Sequence, residues 1–179
     1  MRAELEASFR AALEGTDPFE LTRANLPEDV PAFVLTVGKA ALPMARAAAA
    51  AYPDTPGLVI TREGYGGTAG HFTVREAAHP VPEERSQAAA EEALAAVAAL
   101  GADDLLLVLV SGGGSAFVSA PWEVSLDDKR QASQALLRSG AAIGRDQRGP
   151  QAPVACQGRP ARRRHARADP RPAPLGCPR

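Results

Sequence analysis

Apolar residues recur along this chain with two periods, and the alternation between them predicts its elements. Leu5, Phe9, Ala12 and Leu13 fall at helical spacing, so a helix is expected over Ala3–Leu13, punctuated by Gly15 and Pro18. A second short helix is expected over Phe19–Asn25 and ends at Leu26-Pro27. Ala32–Val37 is an unbroken apolar run of β-formers between Pro31 and Gly38, the pattern of a buried strand. Lys39–Ala51 follows as a helix, with Pro43 in the first turn, where a missing N–H costs little. Gly57–Thr61 is a second buried strand, Arg62–Gly70 a glycine-rich loop, and the alternating His71–Glu76 a third strand. Pro80-Val81-Pro82 is a rigid extended bend, and Ser86–Leu100 is an Ala-rich helix. Leu105–Val110 is the most hydrophobic run and reads as a strand buried on both faces. It runs straight into Ser111-Gly112-Gly113-Gly114-Ser115. Leu126–Ser139 is a further helix, with Ser125 as its N-cap and Asp127 and Asp128 in the first turn.

Continuous apolar strands alternating with helices are the signature of an α/β domain, a doubly wound and mostly parallel sheet with helices flanking it. In such sheets ligands sit beyond the carboxyl ends of the strands. Two loops with suggestive chemistry, Gly38-Lys39 and Ser111–Ser115, fall at such ends.

Composition changes this picture at one place. The net charge is close to zero, but Met1–Gly144 holds 11 Lys or Arg against 19 Asp or Glu, whereas Arg145–Arg179 holds 9 Arg against 2 Asp. Such a split marks either a basic tail for nucleic acid or two segments with different coding histories. Cys156 and Cys177 both lie in that tail, without CxxC spacing or partnered histidines, so neither a zinc site nor a disulfide framework is supported. The N-terminus is amphipathic and acidic rather than a signal peptide, and no apolar run reaches the roughly 18 residues needed to span a bilayer. A cytoplasmic protein with no membrane partner is expected.

Each candidate motif carries a chemical and a structural reading. In Ser111-Gly112-Gly113-Gly114-Ser115 the glycines let backbone N–H groups approach an anion and the serines add hydroxyl donors, giving a cradle for phosphate or carboxylate. The structural reading is a flexible turn after a strand. The loop is neither a Walker A sequence nor a GxGxxG dinucleotide fingerprint. Lys39 follows a strand where a helix begins, against the helix macrodipole, and a bound phosphate would compensate for it; otherwise it is a solvated lysine. His79 stands between a strand and a long helix, able to hydrogen-bond a ligand or to fix a loop. His71 reads as structural, Asp103 and Asp104 as solvated loop charges, and Arg62 and Glu63 as residues that can face the same cleft.

Taken in order, Val37-Gly38-Lys39-Ala40-Ala41 with Met44-Ala45, Ala78-His79-Pro80-Val81-Pro82, and Leu109-Val110-Ser111-Gly112-Gly113-Gly114-Ser115-Ala116 resemble the type-2 glycerate kinase family, often also named hydroxypyruvate reductase. The helix from Leu126 to Ser139-Gly140-Ala141 is similar too, whereas Pro121-Trp122-Glu123-Val124 is shorter than the family's Pro-rich loop. The resemblance spans residues 1–144 and implies an incomplete N-terminal Rossmann-like domain. It also implies ATP-dependent phosphorylation of D-glycerate to 2-phosphoglycerate, with Mg²⁺. Lys39 then becomes the catalytic lysine that stabilises transferred phosphoryl charge. Ser111, Gly112, Gly113, Gly114 and Ser115, with His79, become the substrate- and phosphate-binding residues, and no metal ligand is assigned. The family's C-terminal domain forms the other half of its cleft, so this chain is expected to be inactive alone.

Residues 145–179 read as the family's next segment in a shifted frame. After Ser-Gly-Ala-x-Ile the family reads like Glu-Ile-Asn-Ala-Val-Arg-Lys. With synonymous codons free to choose, that stretch translated one base early gives Arg-Asp-Gln-Arg-Gly-Pro-Gln, the sequence of Arg145–Gln151, and the match continues to Ala161. An Arg/Pro-rich tail with seven prolines and few large apolar residues is expected to remain disordered. Two alternatives stand beside the kinase. A hydroxypyruvate reductase would need a nicotinamide site, and no GxGxxG follows a strand. A non-enzymatic anion- or nucleic-acid-binding module would use the glycine loop or the tail, but the tail lacks interleaved aromatics, so nucleic acid is not the expected partner.

Overall fold

The computed structural model describes residues 1–121 and 124–139. Trp122 and Glu123 of the shortened loop, the Gly140–Gly144 end of the resemblance and the 145–179 tail lie outside the described residues. Ten elements follow in order: α1 (Arg2–Gly15), α2 (Pro18–Ala24), β1 (Phe33–Val37), α3 (Ala41–Ala51), β2 (Gly57–Arg62), β3 (Thr73–Ala77), α4 (Glu84–Ala98), β4 (Leu106–Val110), α5 (Gly114–Phe117) and α6 (Leu126–Ser139). The four strands form one all-parallel sheet in the order β3-β2-β1-β4. This is the α/β architecture that the alternating pattern predicts.

Strand alternation sends side chains to two opposite cores. On one face Val34 and Val59 pack against the alanines of α3, Ala41, Ala45, Ala48 and Ala49, with Tyr52 and Phe72. On the other face Leu58, Ile60 and Ala77 meet Ala89 and Ala93 of α4, and Phe117 of α5 closes this core. Small alanines on both helices let the backbones approach the sheet closely, which is why few aromatics suffice. Tyr52 ties α3 to the preceding loop by donating its hydroxyl hydrogen to the Pro27 carbonyl at 2.6 Å.

Two expectations need correction, and one helix is more exposed than its apolar stripe alone suggests. β4 is not buried on both faces: Leu107 and Leu109 pack onto the α3-side core, but Val108 and Val110 are 45% and 65% exposed. It is an edge strand, and among the described residues no helix covers its second face. The apolar stripe of α1 is helical as expected, yet Leu5, Phe9 and Leu13 are exposed. Helix α3 begins at Ala41 rather than Lys39, because hydrogen bonds to the loop after β4 draw Gly38–Ala40 into a turn.

Boundaries elsewhere shift by one or two residues for local reasons. Helix α4 starts at Glu84 because Glu83 is its N-cap and Ser86, at the third helical position, returns a bond to the Glu83 N–H. Ser125 does cap α6: its hydroxyl accepts the Asp128 N–H at 3.0 Å while Asp128 accepts the Ser125 hydroxyl at 2.6 Å. His71 precedes β3; its ring nitrogen meets the Thr55 carbonyl and its ring lies edge-on to Phe72.

Candidate functional site

The chain runs outward from β1 through β2 to β3, then crosses back to place β4 on the other side of β1. This reversal opens a crevice above the carboxyl ends of β1 and β4, the position where doubly wound sheets bind ligands. Lys39 and the Ser111–Ser115 loop both emerge there.

The two loops are bonded to each other. Lys39 N–H donates to the Gly112 carbonyl at 2.9 Å, and Ser111 N–H donates to the Val37 carbonyl at 2.8 Å. The Ser111 hydroxyl accepts the Ala40 N–H at 3.0 Å and donates to the Val37 carbonyl at 3.4 Å. Ser111 is therefore engaged in joining the loops. Gly38 is needed at this junction: its φ is +127°, and a Cβ there would lie 2.6 Å from the Ser111 carbonyl oxygen. Thr61 of β2 braces the turn from below, donating to the Gly38 carbonyl at 3.2 Å. Among the described residues no backbone carbonyl accepts the N–H of Gly112 or Gly113. Ser115 is exposed at the start of α5, and Lys39 is exposed with no carboxylate paired to it among the described residues.

His79 reaches this region from the opposite edge of the sheet. The loop after β3 crosses over the strand ends, so that the His79 ring lies 5.2 Å from the buried Phe117 ring. A Cβ on Gly113 would stand 3.3 Å from His79 Cδ2, so the histidine abuts the glycine loop itself. The His79–Pro80 peptide is cis. Burial, then the charges of Lys39 and Arg62, hold the imidazole below its ordinary pKa of 6.5. The ring is therefore neutral at pH 7, and three sequence-distant basic residues share one electrostatic environment. Next to it lies an open cleft of about 510 Å³ lined by Arg62, Glu63, His79, Pro80 and Glu83 among others.

Residues 4–145 match the family described as Domain of unknown function (DUF4147). The chain belongs to that family. This DUF4147 domain is 46% identical over 147 residues to an Agrobacterium vitis protein provisionally named a hydroxypyruvate reductase, covering 79% of this chain and 34% of the relative. It is 36% identical over 149 residues to the D-glycerate 2-kinase of Thermotoga maritima, covering 80% of this chain and 34% of the relative. A crystal structure of a Thermotoga maritima glycerate kinase aligns with a TM-score of 0.67 at 35% identity, over 75% of this chain and 34% of that one. The chain thus spans about a third of the length of the relatives it matches.

Within this DUF4147 domain the crevice brings Lys39, Gly112, Gly113 and His79 together, while Ser115 stands at its rim. Two residues that complete the site were not singled out from sequence. Phe117 supports the His79 ring, and its only signal was an aromatic two residues after the glycine loop. Tyr65 lies under Arg62, with the guanidinium carbon 3.8 Å from the ring centroid, and an aromatic three residues beyond a strand-end arginine was the trace of it.

Proposed function

We propose that the DUF4147 domain of this chain supplies the phosphoryl-binding half of a glycerate kinase site, for ATP-dependent phosphorylation of D-glycerate to 2-phosphoglycerate. The observation that carries this reading is the junction of the Lys39 turn with the glycine loop at the reversal point of the sheet. It sets Lys39, whose backbone N–H is bonded to the Gly112 carbonyl, next to a loop with two backbone N–H groups that no carbonyl takes up among the described residues. Phosphoryl transfer needs positioning and charge neutralisation more than covalent chemistry, and a lysine with a backbone anion cradle meets that need. Lys39 balances charge on the moving phosphoryl group, Gly112 and Gly113 orient its oxygens, and neutral His79 offers a hydrogen bond to a substrate oxygen. The kinase names of the relatives support the same reaction.

Lys39, His79 and the glycine N–H groups suit the phosphates of ATP. They do not suit a divalent cation, and the cleft carboxylates Glu63 and Glu83 are both turned to Arg85, at 3.1 and 3.7 Å. Magnesium ligands are therefore not assigned to this chain, and no step is routed through the ion. The reductase name of one relative gains no support from the loops, because none carries GxGxxG.

Residues 1–144 form the kinase portion in this reading, and residues 145–179 are a frame-shifted tail. The family match ends at 145, where the Arg/Pro-rich composition begins. The chain is then inactive alone. The test is 2-phosphoglycerate formation from ATP and D-glycerate by two purified proteins: the chain itself, and the product of the gene with one base restored near the Gly144 codon. Activity confined to the restored product, and lost with Lys39→Ala, is the expected result; turnover by the 179-residue chain would overturn it. Resequencing across the codons for Gly140–Arg164 tests the frame directly.

A further inference from the structure

We propose that Arg62, stacked on Tyr65, is the carboxylate-binding residue of the cleft and grips the acid group of a small hydroxy acid with its guanidinium fork. The identity of the acid as glycerate rests on the kinase reading above; the assignment of a carboxylate to Arg62 rests on the geometry around it.

Arg62 is the last residue of β2 and is half-buried in the cleft wall. The turn that follows closes with the Tyr65 N–H on the Arg62 carbonyl at 3.0 Å and needs the positive φ of +76° at Gly64. Glu76 of β3 fixes the turn from the side, its carboxylate accepting the N–H of Gly64 at 3.1 Å and of Gly66 at 2.8 Å. The phenol ring is thereby held as a platform under the guanidinium, which leaves the planar edge, with its paired donors, for a ligand. Charge around it points the same way. Glu63 and Glu83, the carboxylates of the cleft, are turned to Arg85. Among the described residues none pairs with Arg62. A cation pre-oriented on a ring, beside a neutral His79, suits a planar carboxylate that two parallel N–H bonds can take up. Lys39, a point charge beside the glycine loop, is left for the phosphoryl group, so the two cations separate the two ends of one substrate.

The experiment is a calorimetric titration of the 179-residue chain with D-glycerate, glycerol, acetate and inorganic phosphate, on wild type, Arg62→Gln, Arg62→Lys and Tyr65→Leu. Circular dichroism confirms the fold of each variant, and Arg62→Lys carries the test if Arg62→Gln does not fold. Arg62→Gln weakens D-glycerate about tenfold or more, as loss of a bidentate charged pair requires. Arg62→Lys and Tyr65→Leu weaken it less, phosphate changes by less than about twofold, the level of an uninvolved residue, and glycerol does not bind. Unchanged glycerate affinity in Arg62→Gln overturns the proposal. So does a parallel loss of phosphate, which would make Arg62 a phosphate ligand, or failure of the wild-type chain to bind any carboxylate. Arg62-dependent binding of acetate as tight as that of glycerate upholds the assignment while refuting glycerate as the substrate.

Discussion

Replacing Gly38 by alanine is the sharpest perturbation of the loop junction. Its φ of +127° lies where an L residue is strained, and the new Cβ would press on the Ser111 carbonyl from 2.6 Å. Backbone strain of this kind costs about 1–3 kcal/mol. The neighbour is backbone, so relief requires the two loops to part, which breaks the Lys39 N–H bond to Gly112 and the Ala40 N–H bond to Ser111. At about 0.5–1.5 kcal/mol each, these bring the expected loss to about 2–6 kcal/mol. That is a large share of the roughly 5–15 kcal/mol that holds a domain together. Urea unfolding followed by circular dichroism measures it, with two glycines as internal references. Gly64→Ala has a positive φ of +76° but open space, so it should lose about 1–2 kcal/mol, the penalty of the left-handed region alone. Gly112→Ala has open space and no positive φ, so it should stay within about 0.5 kcal/mol. A Gly38→Ala protein as stable as Gly112→Ala would refute the claim that the Lys39 turn and the glycine loop form one bonded unit.

Three further outcomes follow from the same contacts. His79 is held below its ordinary pKa of 6.5, so the folded state disfavours its protonation; stability should decline as pH falls below 6.5 and not change through His79 above it. Replacing His79 by Asn should flatten that acid-side slope in melts taken across pH 5 to 7. Phe117 is fully buried beneath the His79 ring, so Phe117→Ala should cost about 3–5 kcal/mol by urea titration and move the His79 NMR titration midpoint upward. Arg130 joins α6 to the loop before α4, donating to the Pro82 carbonyl at 3.3 Å and to Glu84 at 2.9 Å. Because α6 buries no side chain, Arg130→Ala should leave the urea midpoint close to that of the wild type, yet speed amide exchange along α6.

The fold was legible where local chemistry and tertiary packing agree. Val34, Val59 and Ile60 sit in unbroken apolar runs, and each is fully buried in the sheet. The Ser125 cap was readable for the same reason, since it expresses a backbone need at a fixed offset. Sequence misled where burial depends on what lies across space. Val108 and Val110 have the same chemistry as Leu107 and Leu109; strand alternation sends the two pairs to opposite faces, and at β4 no described helix covers the face of Val108 and Val110. Leu5 and Phe9 show perfect helical spacing, but spacing does not supply a partner. At the site, Lys39 and the glycine loop stood out because each is unusual at a strand end. The placing of His79 against Gly113 was hidden, since β3 and β4 are at opposite edges and nothing in the order of the chain says that their loops meet. The role of Arg62 was equally hidden, because it depends on a turn that returns Tyr65 beneath it.

The central claim is that the crevice over β1 and β4 binds the anionic groups of a phosphorylation reaction through Lys39 and the glycine loop. An amide NMR titration of the 179-residue chain with inorganic phosphate, repeated on Lys39→Ala, tests it most directly. The account predicts saturable shifts centred on Gly38–Ala40 and Gly112–Gly114, with the His79 ring moving as well, and their loss in the variant. Shifts that spread along the Arg-rich residues 145–179, or that persist unchanged without Lys39, would contradict it.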